Sequence, residues 1–124
     1  MPVYLSPEWI EEADAALRAS GLSTLEGDRF AAEQQVGEIV FHIVFDGNGA
    51  GMCLGPATDP AVVFCQSWET AVAVAQGQLS AEEAVLNGEI TFDGDPMALL
   101  THRRLLSRAD DVFAVVRART VWNR

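Results

Sequence analysis

The sequence predicts an α+β fold with one five-stranded, mainly antiparallel sheet and helices covering one face. Alternating apolar residues mark five strand segments, and the segment 38–46 is the strongest because four large side chains share one face (Ile39, Phe41, Ile43 and Phe45). Short connections between the first four segments favour antiparallel pairing. One helical segment precedes the strands, and a helical crossover separates the fourth strand from the fifth.

Length and composition indicate one globular domain over residues 1–124. Apolar residues make up 49% of the chain and charged residues 21%, and a chain of this size buries about two thirds of its unfolded surface. No run of 18 apolar residues is present, and the N-terminal segment is acidic without the apolar stretch of a signal peptide. We therefore expect a cytoplasmic protein whose two cysteines are thiols.

The charges are distributed unevenly. The net charge is −10, but six of the eight basic residues follow residue 100, where two acids oppose them (Arg103, Arg104, Arg108, Arg117, Arg119 and Arg124). The acidic body argues against nucleic acid as a partner and against strong attraction to anionic lipid. The basic end either neutralises the acidic body of the same chain or contacts a membrane surface.

The first helix is predicted over residues 6–20. Ser6 is a candidate N-cap, Pro7 suits the first helical position and Gly21 suits the C′ position. Ile10, Ala13 and Leu17 form its buried apolar stripe, and Trp9 lies near the edge of this stripe.

The first four strand segments are 29–36, 38–46, a short third one around residues 52–54, and 62–67. Residues 46–49 predict a hairpin turn because aspartate, asparagine and glycine tolerate the required backbone angles. If residues 58–60 form the centre of another hairpin, Cys53 and Cys65 lie opposite each other. We expect both cysteines to be buried and unreactive.

The segment 67–96 predicts the crossover and the fifth strand. Ser67 precedes a helix whose apolar residues have helical spacing, and Ser80 with Glu83 has the spacing of a capping box. Ile90 and Phe92 alternate with polar residues and predict a strand. The next segment, 97–106, should be a well-buried helix, followed by a last helix over 108–119 whose inward residues are Val112, Phe113, Val115 and Val116.

The sequence contains no recognisable catalytic or metal-binding set. The loop at residues 46–57 lacks the acid that closes a calcium site. His42 and Asp46 share a strand face, but about 13 Å separates residues four apart on a strand. His102, beside two arginines, is expected at the surface. We predict a protein that is not an enzyme and has no metal or cofactor.

The order of the elements resembles the sterol carrier protein type 2 domain family, and its small stand-alone bacterial members in particular. The similarity is clearest over residues 37–122, where W-E-T-A (68–71), L-S-A-E-E-A (79–84), N-G-E-I (87–90) and G-D-P (94–96) follow the strands. The resemblance implies a non-catalytic domain that holds an apolar small molecule in a tunnel between sheet and helices. The implied ligand is a sterol, a fatty acid, an acyl-coenzyme A or a related lipid.

Aromatic residues on alternate strand positions fit a plain core as well as a lipid cavity. The resemblance favours the cavity. Periodicity and shared faces then predict the wall residues Phe41, Ile43, Phe45, Phe64, Trp68, Val72, Phe92, Met97 and Leu100, and a lid on the last helix formed by Val112, Phe113 and Val116. Two alternatives stay open. One is an interaction module with a collapsed cavity, whose sheet edge or tail helix forms a homodimer or docks a partner enzyme. An exposed apolar patch near Trp122 would favour it. The other is a small enzyme that uses Asp46 or His42 as a base on a lipid-like substrate.

Overall fold

The structure is a computed structural model that describes residues 1–122. Arg124, counted above with the basic end, lies outside the described residues. The described elements follow in the order α1 (Pro7–Ala19), β1 (Arg29–Val36), β2 (Ile39–Asp46), β3 (Gly49–Leu54), β4 (Val62–Gln66), α2 (Trp68–Ala75), α3 (Ala81–Leu86), β5 (Ile90–Gly94), α4 (Pro96–Thr101) and α5 (Arg103–Arg117).

The five strands form one mixed sheet with the order β3-β2-β1-β4-β5. Three neighbouring pairs are antiparallel, and the predicted turn at residues 46–49 joins β2 to β3. The expected hairpin between β3 and β4 is wrong, because β4 pairs in parallel with β1. Since β3 and β4 run in the same direction with two strands between them, no tight turn can join them.

Residues 55–61 connect β3 to β4 across the side of the sheet that faces away from the helices, here called the back face. The Glu33 carboxylate accepts a hydrogen bond from the Ala57 N–H at 3.0 Å, and the Arg29 guanidinium donates to the Thr58 carbonyl at 2.8 Å. Glu33 is consequently 7% exposed. These bonds hold the connection flat on the sheet and satisfy the buried carboxylate.

The same connection places the two cysteines far apart in the sheet. Cys53 on β3 lies opposite His42, whereas Cys65 on β4 lies opposite Gln35. The expected cross-strand pair is therefore wrong. The expected burial of Cys53 is also wrong: it is exposed, because it faces the uncovered back of an edge strand, while Cys65 is partly buried.

Helices α1, α2 and α3 begin where the sequence predicts caps, whereas α5 begins at Arg103 rather than at the predicted residue 108 and has no side-chain cap. The Ser67 hydroxyl accepts a hydrogen bond from the Thr70 N–H at 3.1 Å, and the Ser80 hydroxyl accepts one from the Glu83 N–H at 3.0 Å. Ser6 caps α1 and Asp95 caps α4 in the same way. Each cap satisfies a backbone donor that the first helical turn leaves unpaired.

The predicted helix at residues 97–106 is interrupted at His102, where α4 ends and α5 begins. The imidazole is not at the surface as expected. Its ring stacks on Phe30 with 4.4 Å between centroids, and its nitrogens lie 2.8 Å from the Ala98 carbonyl oxygen and 3.1 Å from an Asp28 carboxylate oxygen. Stacking on Phe30 and the close contacts of the two ring nitrogens hold the ring in the inward position.

The exposure of α4 contradicts the expectation of a well-buried segment. Met97 is 64% exposed and Leu100 is 57% exposed. Val115 on α5 was expected inward but is 65% exposed, whereas Val116 is 1% exposed. One residue along a helix rotates the side chain by about 100°, so only one of two neighbouring valines can face the core.

The core lies between the sheet and the pair α1 and α5, which pack against each other. Trp9 belongs to this core at 3% exposure rather than to its edge, and its indole N–H donates to the Thr120 hydroxyl at 2.8 Å. α1 also protects the outer edge of β3, because Asp14 accepts a hydrogen bond from the Met52 N–H at 2.7 Å.

The two ends of the described chain meet beside α2. Val3 and Val121 form a parallel β-bridge, and the ring of Tyr4 lies 4.9 Å from Trp122, 5.0 Å from Trp9 and 5.5 Å from Trp68 between centroids. Burial raises the pKa of Tyr4 to about 12. This aromatic cluster attaches the start of α2 to the rest of the core.

Candidate functional site

One row of side chains on the helix-facing side of the sheet crosses all five strands. The pairing register places Leu54, Phe41, Gln34, Phe64 and Phe92 side by side. Phe41 is 7% exposed, and exposure rises to 46% at Leu54 and 38% at Phe92 on the two edge strands. The helices therefore cover the middle of the row and leave its ends accessible.

The twelve residues predicted to line a cavity fall into three groups along this gradient. Four are buried in the core: Phe41, Ile43, Phe45 and Val116. Five are partly buried: Phe64, Trp68, Val72, Val112 and Phe113. Three are exposed: Phe92, Met97 and Leu100. The predicted wall thus continues from the closed core to the surface of β5 and α4.

The exposed part of the wall lies on consecutive elements. The Phe92 ring packs on Phe64 with 6.1 Å between centroids, which continues the apolar surface from β4 to β5. Met97 and Leu100 follow immediately on α4, three residues apart and hence on one helical face. We call Phe64, Phe92, Met97 and Leu100 together the open apolar end.

Two glutamines on the same side of the sheet were not predicted to belong to the site. The side-chain amide of Gln66 donates to that of Gln34 at 3.0 Å, and Gln34 lies between Phe41 and Phe64 in the row. The amide nitrogen of Gln34 and the amide oxygen of Gln66 make no further hydrogen bond within residues 1–122. Neither of these two atoms is buried without a partner. One donor and one acceptor are therefore available on an otherwise apolar face.

The strand alternation in the sequence already contained this signal. Gln34 alternates in phase with Phe30 and Ala32, and Gln66 with Val62 and Phe64. A polar residue in the apolar phase of two neighbouring strands was the indication, but the partnership of β1 with β4 was needed to bring the two amides together.

No ionisable side chain of the described strands points to the helix-facing side. From the helix layer His102 reaches this side, but both of its nitrogens are already engaged by Ala98 and Asp28. The apolar row therefore has hydrogen-bonding groups but no obvious acid or base among the described residues.

His42 and Asp46, considered above as bases, lie on the back face. Together with Cys53 and Arg18 they line an open depression of about 360 Å³. The Nδ1–H of His42 donates a hydrogen bond to the Gly55 carbonyl oxygen at 2.9 Å. The sheet separates these groups from the apolar row, so they cannot act on a ligand held there.

Residues 1–122 contain no cluster of three or more histidine, cysteine, aspartate or glutamate side chains that could bind a metal ion. No helix among them has both the length and the apolar character needed to cross a bilayer.

The strand order and the helices on one face define the fold, which is that of sterol carrier protein type 2 domains. The conserved hypothetical protein TT1886 from Thermus thermophilus is similar, with a TM-score of 0.60 and 20% identity over 90% of this chain and 88% of its own. A crystal structure of sterol carrier protein 2 gives a TM-score of 0.57 and 17% identity over 92% of this chain and 97% of its own.

Palmitated SCP2L2 from Aedes aegypti gives a TM-score of 0.50 and 21% identity over 82% of this chain and 93% of its own. A region of the inverting sec-alkylsulfatase Pisa1 from Pseudomonas sp. is also similar, with a TM-score of 0.58 and 12% identity over 86% of this chain. This chain spans only 16% of that sulfatase. No protein-family model and no curated protein matches the sequence.

Proposed function

We propose that this domain binds a lipid with a long apolar chain and a small polar head and does not change it chemically. The observation that carries the proposal is the apolar row that leads from the core to the open apolar end and contains one free donor and one free acceptor at Gln34 and Gln66. An amide pair of this kind fits a carboxylic acid or a hydroxyl group, so fatty acids and sterols are favoured within the wider lipid class.

The fold is consistent with this proposal, since the solution structure of SCP2L2, a protein of the same fold, is that of its palmitated form. The apolar row presents amides and hydrocarbon from the described strands rather than acids or bases, which favours binding over catalysis. A cytoplasmic location and a role as a carrier belong to the same proposal.

Desolvation provides the driving force. Burial of one methylene contributes about 0.8 kcal/mol, so burial of roughly 15 of them contributes about 12 kcal/mol. Association itself costs about 4–15 kcal/mol. Most of the chain must therefore leave water for useful affinity, and the exposed surface of Phe92 and Met97 alone is not sufficient. Chains that differ by one methylene should be poorly distinguished.

The ligand must separate elements that touch in the described conformation. An empty pocket of about 300–1,000 Å³ would cost roughly 7–24 kcal/mol at about 24 cal/mol per Å³, which is comparable to a typical total stability of about 5–15 kcal/mol. We therefore expect the wall to close when no ligand is bound. α4 is the element most suited to move, because it has no fully buried residue, whereas the lid expected on α5 has Val116 in the core.

The test is a heat-denaturation and native mass spectrometry series on delipidated protein with palmitate, cholesterol and hexadecane. Palmitate at about 100 times its Kd should stabilise the fold by about 2.7 kcal/mol, which is a shift of roughly 10 °C for a domain of this size. Hexadecane lacks a head for the amides of Gln34 and Gln66 and should bind more weakly.

Phe92→Ser should reduce the palmitate shift by removing apolar surface at the open apolar end. Leu25→Ser is the matched control, because Leu25 is 83% exposed in the loop before β1 and lies outside the row. A bare chain in native spectra, with no change in melting temperature for any of the three compounds, would refute the proposal.

A further inference from the structure

Helix α4 is apolar on all sides, although one side faces solvent. Four consecutive apolar residues, 97–100, form most of its length. Ala98 and Leu99 pack against the core, whereas Met97 is 64% exposed and Leu100 is 57% exposed. A helix that is apolar all round is ordinarily buried. The exposed side of α4 is therefore suited to apolar surroundings outside this chain.

The segment that contains this side is basic. Residues 97–109 include three arginines (Arg103, Arg104 and Arg108) and no acid. All three arginines are exposed, and none takes part in an ion pair or a side-chain hydrogen bond within residues 1–122. Direct contacts within the described chain therefore leave these three charges uncompensated.

The apolar residues and the first arginines lie on the same side of the molecule. The His102 N–H donates to the Ala98 carbonyl at 3.1 Å, so a helical hydrogen bond spans the junction of α4 and α5. Arg104 therefore follows Met97 and Leu100 at positions i, i+3 and i+7, which share one helical face. All three side chains are exposed. We call the exposed side of α4 and the first turns of α5 the docking surface.

Three acids near α4 are turned away from the docking surface or engaged elsewhere. Asp93 lies on the back face of β5. The Asp95 carboxylate accepts a hydrogen bond from the Met97 N–H at 2.9 Å, and an Asp28 carboxylate oxygen lies 3.1 Å from the His102 ring. None of the three forms an ion pair with the arginines of the docking surface. The docking surface is thus locally positive on a chain whose net charge is −10.

We infer that the docking surface binds an anionic lipid bilayer. Met97 and Leu100 enter the apolar boundary of the bilayer, and the three arginines contact the phosphate groups of its lipids. Charge disfavours a second copy of the chain as the occupant, because two docking surfaces would bring six uncompensated arginines together. The acidic remainder of the chain weakens the attraction, so docking should be reversible and should decrease with ionic strength.

Docking has a consequence for the proposed lipid site, and this step rests on that proposed function. Met97 and Leu100 belong to the open apolar end, so a docked domain turns the accessible end of the row towards the bilayer. The bilayer also offers apolar surroundings to Ala98 and Leu99, which favours the movement of α4 away from the sheet. A lipid can then pass between bilayer and domain without crossing water.

Co-sedimentation of the full delipidated chain with vesicles tests the docking in the absence of free fatty acid. Vesicles of phosphatidylcholine with phosphatidylglycerol should bind the chain, and vesicles of phosphatidylcholine alone should bind it much more weakly. Arg103→Gln with Arg104→Gln should weaken binding about 25-fold, at about fivefold for each arginine. The matched control is Arg18→Gln with Arg119→Gln, which removes the same charge from exposed positions outside the docking surface and should bind as the parent chain does.

A second pair of variants tests the apolar part of the docking surface. Leu100→Ser should weaken binding to the anionic vesicles about fivefold, because it removes a side chain that enters the bilayer. Leu25→Ser is its matched control, since Leu25 is 83% exposed in the loop before β1, and it should bind as the parent chain does. Heat denaturation should show that every variant is folded, because each substituted side chain is exposed.

Docking is refuted if the parent chain binds neither kind of vesicle at any lipid concentration reached, or if the control variants lose as much binding as the variants of the docking surface. It is also refuted if the delipidated chain is a dimer in solution that Leu100→Ser dissociates, because a second copy then occupies the surface. A chain that gains heat stability with palmitate but binds no vesicles refutes docking alone. A chain that binds anionic vesicles but gains no heat stability refutes the lipid proposal alone.

Discussion

The phenol of Tyr4, a partly buried residue, makes the free energy of unfolding depend on alkaline pH. Burial raises the pKa of Tyr4 to about 12, from its ordinary value of 10.0. Because the neutral phenol is the form that the fold accommodates, its contribution is fully present below pH 10 and is lost as the pH rises from about 10 to about 12. Two pKa units correspond to about 2.7 kcal/mol, and about half of this should be lost at pH 11.

Tyr4→Phe is the informative variant, because it removes the ionisable hydroxyl and keeps the ring against Trp9, Trp68 and Trp122. Denaturant unfolding at pH 8 and pH 11 should show that the parent chain loses about 1.4 kcal/mol more than the variant between the two values. Tyr4 is the only tyrosine of the chain, so its ionisation can be followed directly by ultraviolet difference absorbance.

Two results would refute this reasoning. The first is ionisation of Tyr4 near pH 10 in the folded protein, which would mean that water reaches the phenol. The second is an equal loss of stability in the parent chain and in Tyr4→Phe, which would assign the alkaline sensitivity to other groups. Either result would also question whether the aromatic cluster holds α2 in place.

Three further predictions concern single positions. Gly94→Ala should destabilise the fold by roughly 1–3 kcal/mol in denaturant unfolding. Gly94 has a φ of +123°, and an added Cβ would lie 2.9 Å from the Cα of Val62. Unchanged stability would contradict the close contact of β5 with β4 at this position. Asp14→Ala should cost about 1–3 kcal/mol of stability and speed amide exchange at Met52, because the Asp14 carboxylate accepts a hydrogen bond from the Met52 N–H. Unchanged protection of the Met52 amide would show that another group caps the β3 edge. Cys53 should react rapidly with a thiol reagent in native buffer, as its exposure requires, and peptide mapping that finds it unmodified would contradict the open back face.

The starts of the helices with side-chain caps and the faces of the strands could be predicted because nearby residues decide them. A serine or aspartate that caps a helix acts on a backbone N–H two or three residues away, as Ser67, Ser80 and Asp95 do here. Alternation along β2 likewise predicted the buried side of Phe41 and Phe45. The turn at residues 46–49 needed only backbone angles that its own residues favour.

The candidate site was only partly predictable. The sequence pattern correctly predicted which apolar strand residues share one side of the sheet. It wrongly predicted that Met97 and Leu100 are buried, and it predicted no role for Gln34 or Gln66. Their positions depend on which element packs over them. On α4, Ala98 and Leu99 pack against the core, whereas Met97 and Leu100 face solvent. No pattern within ten residues of α4 contains that information.

Local patterns were enough to predict most of the elements, the serine caps and the apolar phase of each strand, because these follow from hydrogen bonding and side-chain direction over a few residues. The parallel pairing of β4 with β1, the separation of Cys53 from Cys65 and the exposure of the apolar row at Phe92 arise only when the whole chain packs. The physical reason is that strand partners and uncovered surface result from competition among segments distant in sequence, where the gain from burying one face depends on every other element that could cover it.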